Sequence, residues 1–160
     1  MPRRLRDEIK QAKPFATPEE EVVLNIVRTA DVLQQAFERA LRPAGISNTQ
    51  YNVLRILRGA GERGLCCREI AERMLTHDPD VTRLLDRLER RGLVERRREQ
   101  RDRRIITTRI TPEGLKLLDA LDAPLLELHA RLLGHLSPER QAALVELLEA
   151  ARTEPAESSG

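Results

Sequence analysis

At 160 residues the chain is long enough for one domain, or for a small domain with a dimerisation element. Charged residues make up 34 % but the formal net charge is only +2, so the position of the charge says more about partners than its total. With two Phe, one Tyr and no Trp, the chain lacks the exposed rings on which single-stranded nucleic acid and RNA stack; no apolar run approaches a membrane span and no signal-peptide core is present, so a cytoplasmic location is expected.

Residues 1–16 carry Arg3, Arg4, Arg6, Lys10 and Lys13 without a clear apolar period, and read as a flexible basic arm with room for a short helical piece. Thr17-Pro18-Glu19-Glu20 is a helix start: a capping hydroxyl, Pro at the first position and Glu three residues on. The helix runs to about Leu41, with Val23, Ile26, Ala30, Leu33 and Phe37 on one face, and Arg42-Pro43-Ala44-Gly45 stops it. Ser47-Asn48-Thr49-Gln50 is a second capping box. It opens a helix carrying Tyr51, Val53, Leu54 and Leu57 that ends near Gly59-Ala60-Gly61.

A short helix is predicted from about Cys67 to Leu75, with Ile70, Ala71 and Met74 inward. Asp78 as cap and Pro79 as first residue predict the next helix from about Pro79 to Arg91, with Val81, Leu84, Leu85 and Leu88 as its apolar stripe and Gly92 as its stop. Leu93–Glu99 and Arg104–Ile110 read as two strands, with Val94, Ile106 and Ile110 inward and a wholly polar loop between them. Thr111-Pro112 opens a helix to about Leu136 whose leucines at 118, 121, 125, 128 and 132 form a coiled-coil-like seam, kinked at Pro124. Ser137-Pro138 starts the last helix, to about Ala151 with Leu144, Leu147 and Leu148, and residues 152–160 read as a disordered tail.

Between Arg87 and Arg104 the chain places Arg87, Arg90, Arg91, Arg96, Arg97, Arg98, Arg101, Arg103 and Arg104 against Glu89, Glu95, Glu99 and Asp102, a local basic patch suited to phosphates. The adjacent Cys66 and Cys67 are too strained a pair for a disulfide, and His77, His129 and His135 have no metal-ligand spacing. No Gly-rich phosphate loop, nucleophile motif or metal cluster points to an enzyme or a cofactor.

Tyr51-Asn52-Val53-Leu54-Arg55-Ile56-Leu57, Glu69-Ile70-Ala71-Glu72-Arg73, the run from Val81 to Arg96, Asp102-Arg103-Arg104 and Ile110-Thr111-Pro112-Glu113-Gly114 together resemble the MarR family of bacterial transcription regulators over about residues 20–150. The resemblance implies a mainly α fold with a small β-hairpin wing, a winged helix-turn-helix over about 47–111 within a domain at 17–151. It also implies a homodimer formed through helices at about 17–41 and 112–151. The implied function is sequence-specific binding of double-stranded DNA at an inverted-repeat operator, with repression relieved by a small phenolic or aromatic effector.

In such a protein the second helix of the motif enters the major groove. With its leucines inward, that helix turns Asp80, Thr82, Arg83, Asp86, Arg87 and Arg90 outward; Arg83 and Arg87 are the expected base or phosphate contacts, and the aspartates accept from cytosine or orient an arginine. The resemblance assigns Arg104 to the minor groove and Asp102 to holding the wing, with Arg96, Arg97, Arg98, Arg101 and Arg103 positioned on phosphates. Arg28, Tyr51 and Arg55 are candidates to line the effector site, which in the family lies between the dimerisation and DNA-binding regions. Two alternatives remain: a redox-responsive regulator using Cys66 or Cys67 near a helix start, where a thiol pKa can fall, and a protein-interaction module that has lost DNA binding.

Overall fold

The computed structural model describes residues 4–153. Its elements in chain order are α1 (Leu5–Glu8), α2 (Pro18–Leu41), α3 (Asn48–Ala60), α4 (Cys67–Arg73), α5 (Val81–Arg90), β1 (Val94–Arg98), β2 (Ile106–Ile110), α6 (Pro112–Leu133) and α7 (Pro138–Arg152). Single 3₁₀ turns at Arg42–Ala44 and Gly61–Arg63 follow α2 and α3. Two compact units divide the chain, residues 1–120 and 121–160. Among the described residues no helix is long and apolar enough to cross a membrane.

The first unit holds the helix-turn-helix and its wing. Thr17 Oγ1 accepts the Glu20 amide at 3.2 Å and starts α2. Ser47 and Gln50 cap α3 reciprocally, the Ser47 amide donating to Gln50 Oε1 at 2.9 Å and the Gln50 amide to Ser47 Oγ at 3.2 Å. The core gathers Val53, Leu54 and Leu57 of α3, Ile70 of α4, Leu84, Leu85 and Leu88 of α5, and Leu93, Val94 and Leu118, all buried. Burying a leucine of this kind stabilises the fold by about 1.5–3 kcal/mol, so this cluster fixes the angles among three short helices that have little stability alone.

β1 and β2 form an antiparallel hairpin with Val94 opposite Ile110 and Arg98 opposite Ile106. Leu65 adds a single bridge to Thr108, with amide–carbonyl distances of 3.0 and 2.8 Å, and ties the hairpin to the segment before α4. Gly64 precedes that bridge with φ +68, and a Cβ there would lie 2.7 Å from the Thr108 carbonyl oxygen, so the close approach needs glycine.

Several expectations change. Helix α5 begins at Val81, not Pro79, because its cap is Asp80: Asp80 Oδ1 accepts the Arg83 amide at 3.0 Å, while Asp78 Oδ1 accepts the Asp80 amide at 2.8 Å and shapes the turn before it. Helix α4 stops at Arg73, and Ala71 is exposed. In β2 it is Thr107 and Thr108 that are buried, whereas Ile106 is 42 % exposed; the bridge from Leu65 covers Thr108, and Thr107 Oγ1 donates to Glu99 Oε1 at 2.9 Å. Helix α6 ends at Leu133, followed by Gly134, whose amide donates to the Ala130 carbonyl.

The predicted apolar face of α2 is largely open. Val23 is 57 % exposed and Ile26 38 %, with Val22 and Val27 beside them; only Ala36 and Leu41, at the C-terminal end, are buried. Of the arm, residues 4–16 include the one-turn α1 with Leu5 buried, and the Arg6 guanidinium donates to the carbonyls of Gln11 and Ala12. In the second unit Leu121, Leu125 and Leu128 of α6 are buried, whereas Leu144, Val145 and Leu147 of α7 are exposed. The expected tail at 154–160 lies outside the described residues.

Candidate nucleic-acid interface

Helix α5 has two chemically opposed faces. Leu84, Leu85 and Leu88 face inward and are buried, so the 3.6-residue period turns Thr82, Arg83, Arg87 and Arg90 to solvent, where all four are exposed. Arg83 and Arg87 are one turn apart and so lie along one line of the surface. Among the described residues, the guanidinium groups of Arg83, Arg87 and Arg90 make no ion pair, nor do those of Arg101, Arg103 and Arg104. This leaves six exposed cations with their donors open to an anionic partner.

The wing presents the second set. Its loop closes through the Glu99 amide on the Ile105 carbonyl at 2.9 Å and the Ile105 amide on the Asp102 carbonyl at 3.0 Å. Asp102 Oδ1 accepts the Arg104 amide at 2.9 Å, and Arg98 Nη1 donates to the Arg103 carbonyl at 3.1 Å. Asp102 therefore works through the backbone of Arg104 rather than through its guanidinium, and the Arg104 side chain points away exposed. Residues 100–104 are all exposed, as a polar tip with nothing to bury requires.

Residues 44–105, which span the helix-turn-helix and most of the wing, match the MarR family. The chain is 31 % identical over 142 residues to YkoM, an uncharacterized HTH-type transcriptional regulator of Bacillus subtilis, covering 86 % of this chain and 90 % of the other. It is 31 % identical to the HTH-type transcriptional repressor MdtR of the same organism, over 84 % of this chain and 88 % of that one. Sco3205 of Streptomyces coelicolor, a MarR family transcriptional regulator solved in complex with DNA, superposes with a TM-score of 0.77 at 25 % identity, over 93 % of this chain and 96 % of that one. This chain belongs to the MarR family. Its relatives are transcription regulators, and its winged helix-turn-helix is the family's fold.

Within this MarR-family chain the predicted DNA residues divide into two groups. Thr82, Arg83, Arg87, Arg90 and Arg104 stand exposed on α5 and the wing. Asp80 is occupied as the cap of α5, Asp102 holds the wing turn, and Arg97 pairs with Glu95 at 2.9 Å while remaining 60 % exposed.

Two arginines that look like part of the basic patch have other partners. Arg96 Nη2 donates to Asp86 Oδ1 at 2.5 Å and to Glu89 Oε1 at 2.9 Å, and only 24 % of its side chain is exposed. These hydrogen bonds from Arg96 hold the Glu89 carboxyl below the ordinary carboxylate range. Arg91 donates to the carbonyls of Gly45 at 2.6 Å and Ala44 at 3.1 Å, clamping the end of α5 to the loop between α2 and α3. A run of arginines shows no difference between these two and their neighbours; the carboxylates and carbonyls that occupy them come from other elements.

Of the effector candidates, the structure sets the Arg55 guanidinium 6.0 Å from the centre of the Tyr51 ring, one turn apart on α3. Arg28, on α2, pairs instead with Glu8 of α1 at 3.3 Å and Asp31 of α2 at 3.6 Å. One shallow groove runs along Arg4, Arg6, Asp7, Lys10 and Gln11 and another lies beside the wing at Arg63, Cys66, Glu69, Glu99, Thr107 and Arg109; neither includes these three residues. Cys66 and Cys67 are free and half-buried, Cys66 capping α4 through its amide on Glu69 and Cys67 Sγ lying 3.9 Å from Thr82 Oγ1.

Proposed function

We propose that this chain is a transcriptional repressor that works in the cytoplasm as a homodimer on an inverted-repeat operator. The observation that carries this reading is the pairing of two arginine-bearing elements in one unit: Arg83 and Arg87 on the outer face of α5, and Arg104 on a wing turn held by Asp102. Helix α5 enters the major groove, where the arginine fork reads guanine edges or grips phosphates. Thr82 reaches a phosphate or a thymine methyl. The wing lays Arg104 into the minor groove, and Arg97 and Arg90 serve the phosphates.

Dimerisation follows from the open apolar stripes, Val22, Val23, Ile26 and Val27 on α2 and Leu144, Val145 and Leu147 on α7. A second copy covers such stripes best, and the resulting two-fold axis demands an inverted repeat with half-sites about 34–36 Å apart. Repression follows from occupancy: a dimer seated on a promoter excludes polymerase. Release comes from a phenolic or aromatic effector, with Tyr51 and Arg55 offering a ring and a cation side by side and Arg28 a further cation.

The test is selection of duplexes from a random pool by the purified protein, followed by a gel shift with and without phenolic compounds. Recovery of one palindromic sequence, released by such a compound, supports the reading. Recovery of unrelated sequences overturns it.

A further inference from the structure

We propose that Arg96 is a positioning residue that locks the wing to α5, so that the two DNA-reading elements of one subunit meet the duplex at a set separation. The inference rests on the DNA-binding reading above. Arg96 sits on β1, and four hydrogen bonds run from it to α5. Its amide donates to Glu89 Oε2 at 3.0 Å; Nε and Nη2 donate to Glu89 Oε1 at 3.3 and 2.9 Å; Nη2 donates again to Asp86 Oδ1 at 2.5 Å.

The arrangement is self-consistent as a brace. Asp86 and Glu89 are three residues apart, and two carboxylates at that spacing repel unless a cation lies between them. The planar guanidinium holds both at once, which a lysine ammonium does less well. Charge-assisted hydrogen bonds of this kind, here half-buried, are among the stronger side-chain contacts. The same contacts withdraw Arg96 from phosphate binding, since its charge is already matched by two carboxylates. On α5 the division of labour is clear: Arg83 and Arg87 face outward, while Asp86 and Glu89 face β1. Arg91, the residue that caps the C-terminal end of α5, pins that end to the Gly45 loop, so the helix is held both along its length and at its end.

A loosened wing weakens operator binding in a particular way. The operator requires both grooves to be met together, whereas non-specific duplex binding depends on phosphate charge alone. The experiment measures affinity of the full chain for a selected operator duplex and for a scrambled duplex, by fluorescence anisotropy across a salt series. Wild type is compared with Arg96→Met and with the double variant Asp86→Asn/Glu89→Gln, each checked for folding by circular dichroism.

The brace predicts that Arg96→Met loses about tenfold or more in operator affinity, equivalent to about 1.4 kcal/mol, with little change on the scrambled duplex and an unchanged salt slope. The double variant shows the same loss of discrimination, and adding Arg96→Met to it costs little more. A salt slope reduced by about 0.9 per lost phosphate contact, with equal weakening on both duplexes, identifies Arg96 as a phosphate ligand and overturns the proposal. If Arg96→Met does not fold, the double variant decides: intact discrimination there overturns the brace. Wild type that binds neither duplex defeats the DNA-binding reading itself, an outcome distinct from either result.

Discussion

The hydroxyl of Thr111 donates to the carbonyl of Gly92 at 2.6 Å and accepts the amide of Gly114 at 3.1 Å. One side chain thus joins the turn that ends α5 to the turn that begins α6, closing the wing at its base. The Thr111 amide adds a bond to the Leu93 carbonyl at 3.1 Å. Gly114 completes the closure because there is no room for more: a Cβ there would lie 2.3 Å from the Leu93 carbonyl oxygen and 2.6 Å from Ile110 Cγ1. Gly114→Ala is therefore expected to destabilise the protein by about 2–4 kcal/mol, as overpacking against backbone does. Thr111→Val should cost about 1–2 kcal/mol through its lost hydrogen bonds. Urea unfolding measures both, and an unchanged midpoint for Gly114→Ala would show that the junction relaxes freely.

Arg104 and Arg91 make opposite predictions although both are exposed arginines of the same basic stretch. Arg104→Ala weakens operator binding by about tenfold or more, the scale of one lost groove contact, and leaves melting temperature and oligomeric state alone. Arg91→Ala lowers stability by about 1 kcal/mol through its two carbonyl acceptors, with at most a secondary effect on DNA. Paired thermal melts and gel shifts separate them. If Arg104→Ala reduces dimer content but spares DNA affinity, the wing assignment fails.

The open stripe on α2 predicts the consequence of charging it. Val23 and Val27 are 57 % and 61 % exposed in the single chain and lie one turn apart. Val23→Glu/Val27→Glu should raise the dimer dissociation constant by about 100-fold or more, because the two-fold axis repeats each unpaired carboxylate and each costs about 1–3 kcal/mol. Analytical ultracentrifugation shows a folded monomer with lost operator affinity. A variant that remains dimeric at micromolar concentration would place the interface elsewhere.

Acid sensitivity follows from carboxyls held below the ordinary value of 4.5, among them Glu89, chiefly by the Arg96 side chain, and Glu69, chiefly by the Cys66 amide. A group whose folded pKa lies below its unfolded one contributes stability that is complete above the unfolded value and is lost as pH falls through the folded one. Stability should therefore be level with respect to these groups near neutrality and decline below about pH 4.5. In Arg96→Met the Glu89 carboxyl returns toward its usual range, so the decline becomes shallower. Equal acid slopes for the two proteins, from urea titrations at several pH values, would contradict the pairing.

Much of this protein was legible from the chain alone. The spacing of Leu84, Leu85 and Leu88 commits one face of α5 to the core and leaves Arg83 and Arg87 on the other, because a helix has a fixed period. The caps Thr17, Ser47 and Ser137 are local for the same reason, each reaching an amide three residues on. The start of α5 was less legible: Asp78 and Asp80 are equally good caps by type, and the turn geometry chose Asp80. Which strand positions of β2 are inward depended on Leu65, far away in the chain, bridging Thr108.

The arginines show the boundary most clearly. Residue order determined that a cluster of guanidinium groups would gather around α5 and the hairpin, since that follows from local periodicity and turns. It did not determine their roles. Arg96 turns to Asp86 and Glu89, Arg91 to the carbonyls of Ala44 and Gly45, and Arg83, Arg87 and Arg104 to solvent. A hydrogen bond or ion pair acts over a few ångströms, and only the folded chain brings residues up to 47 positions apart within that reach.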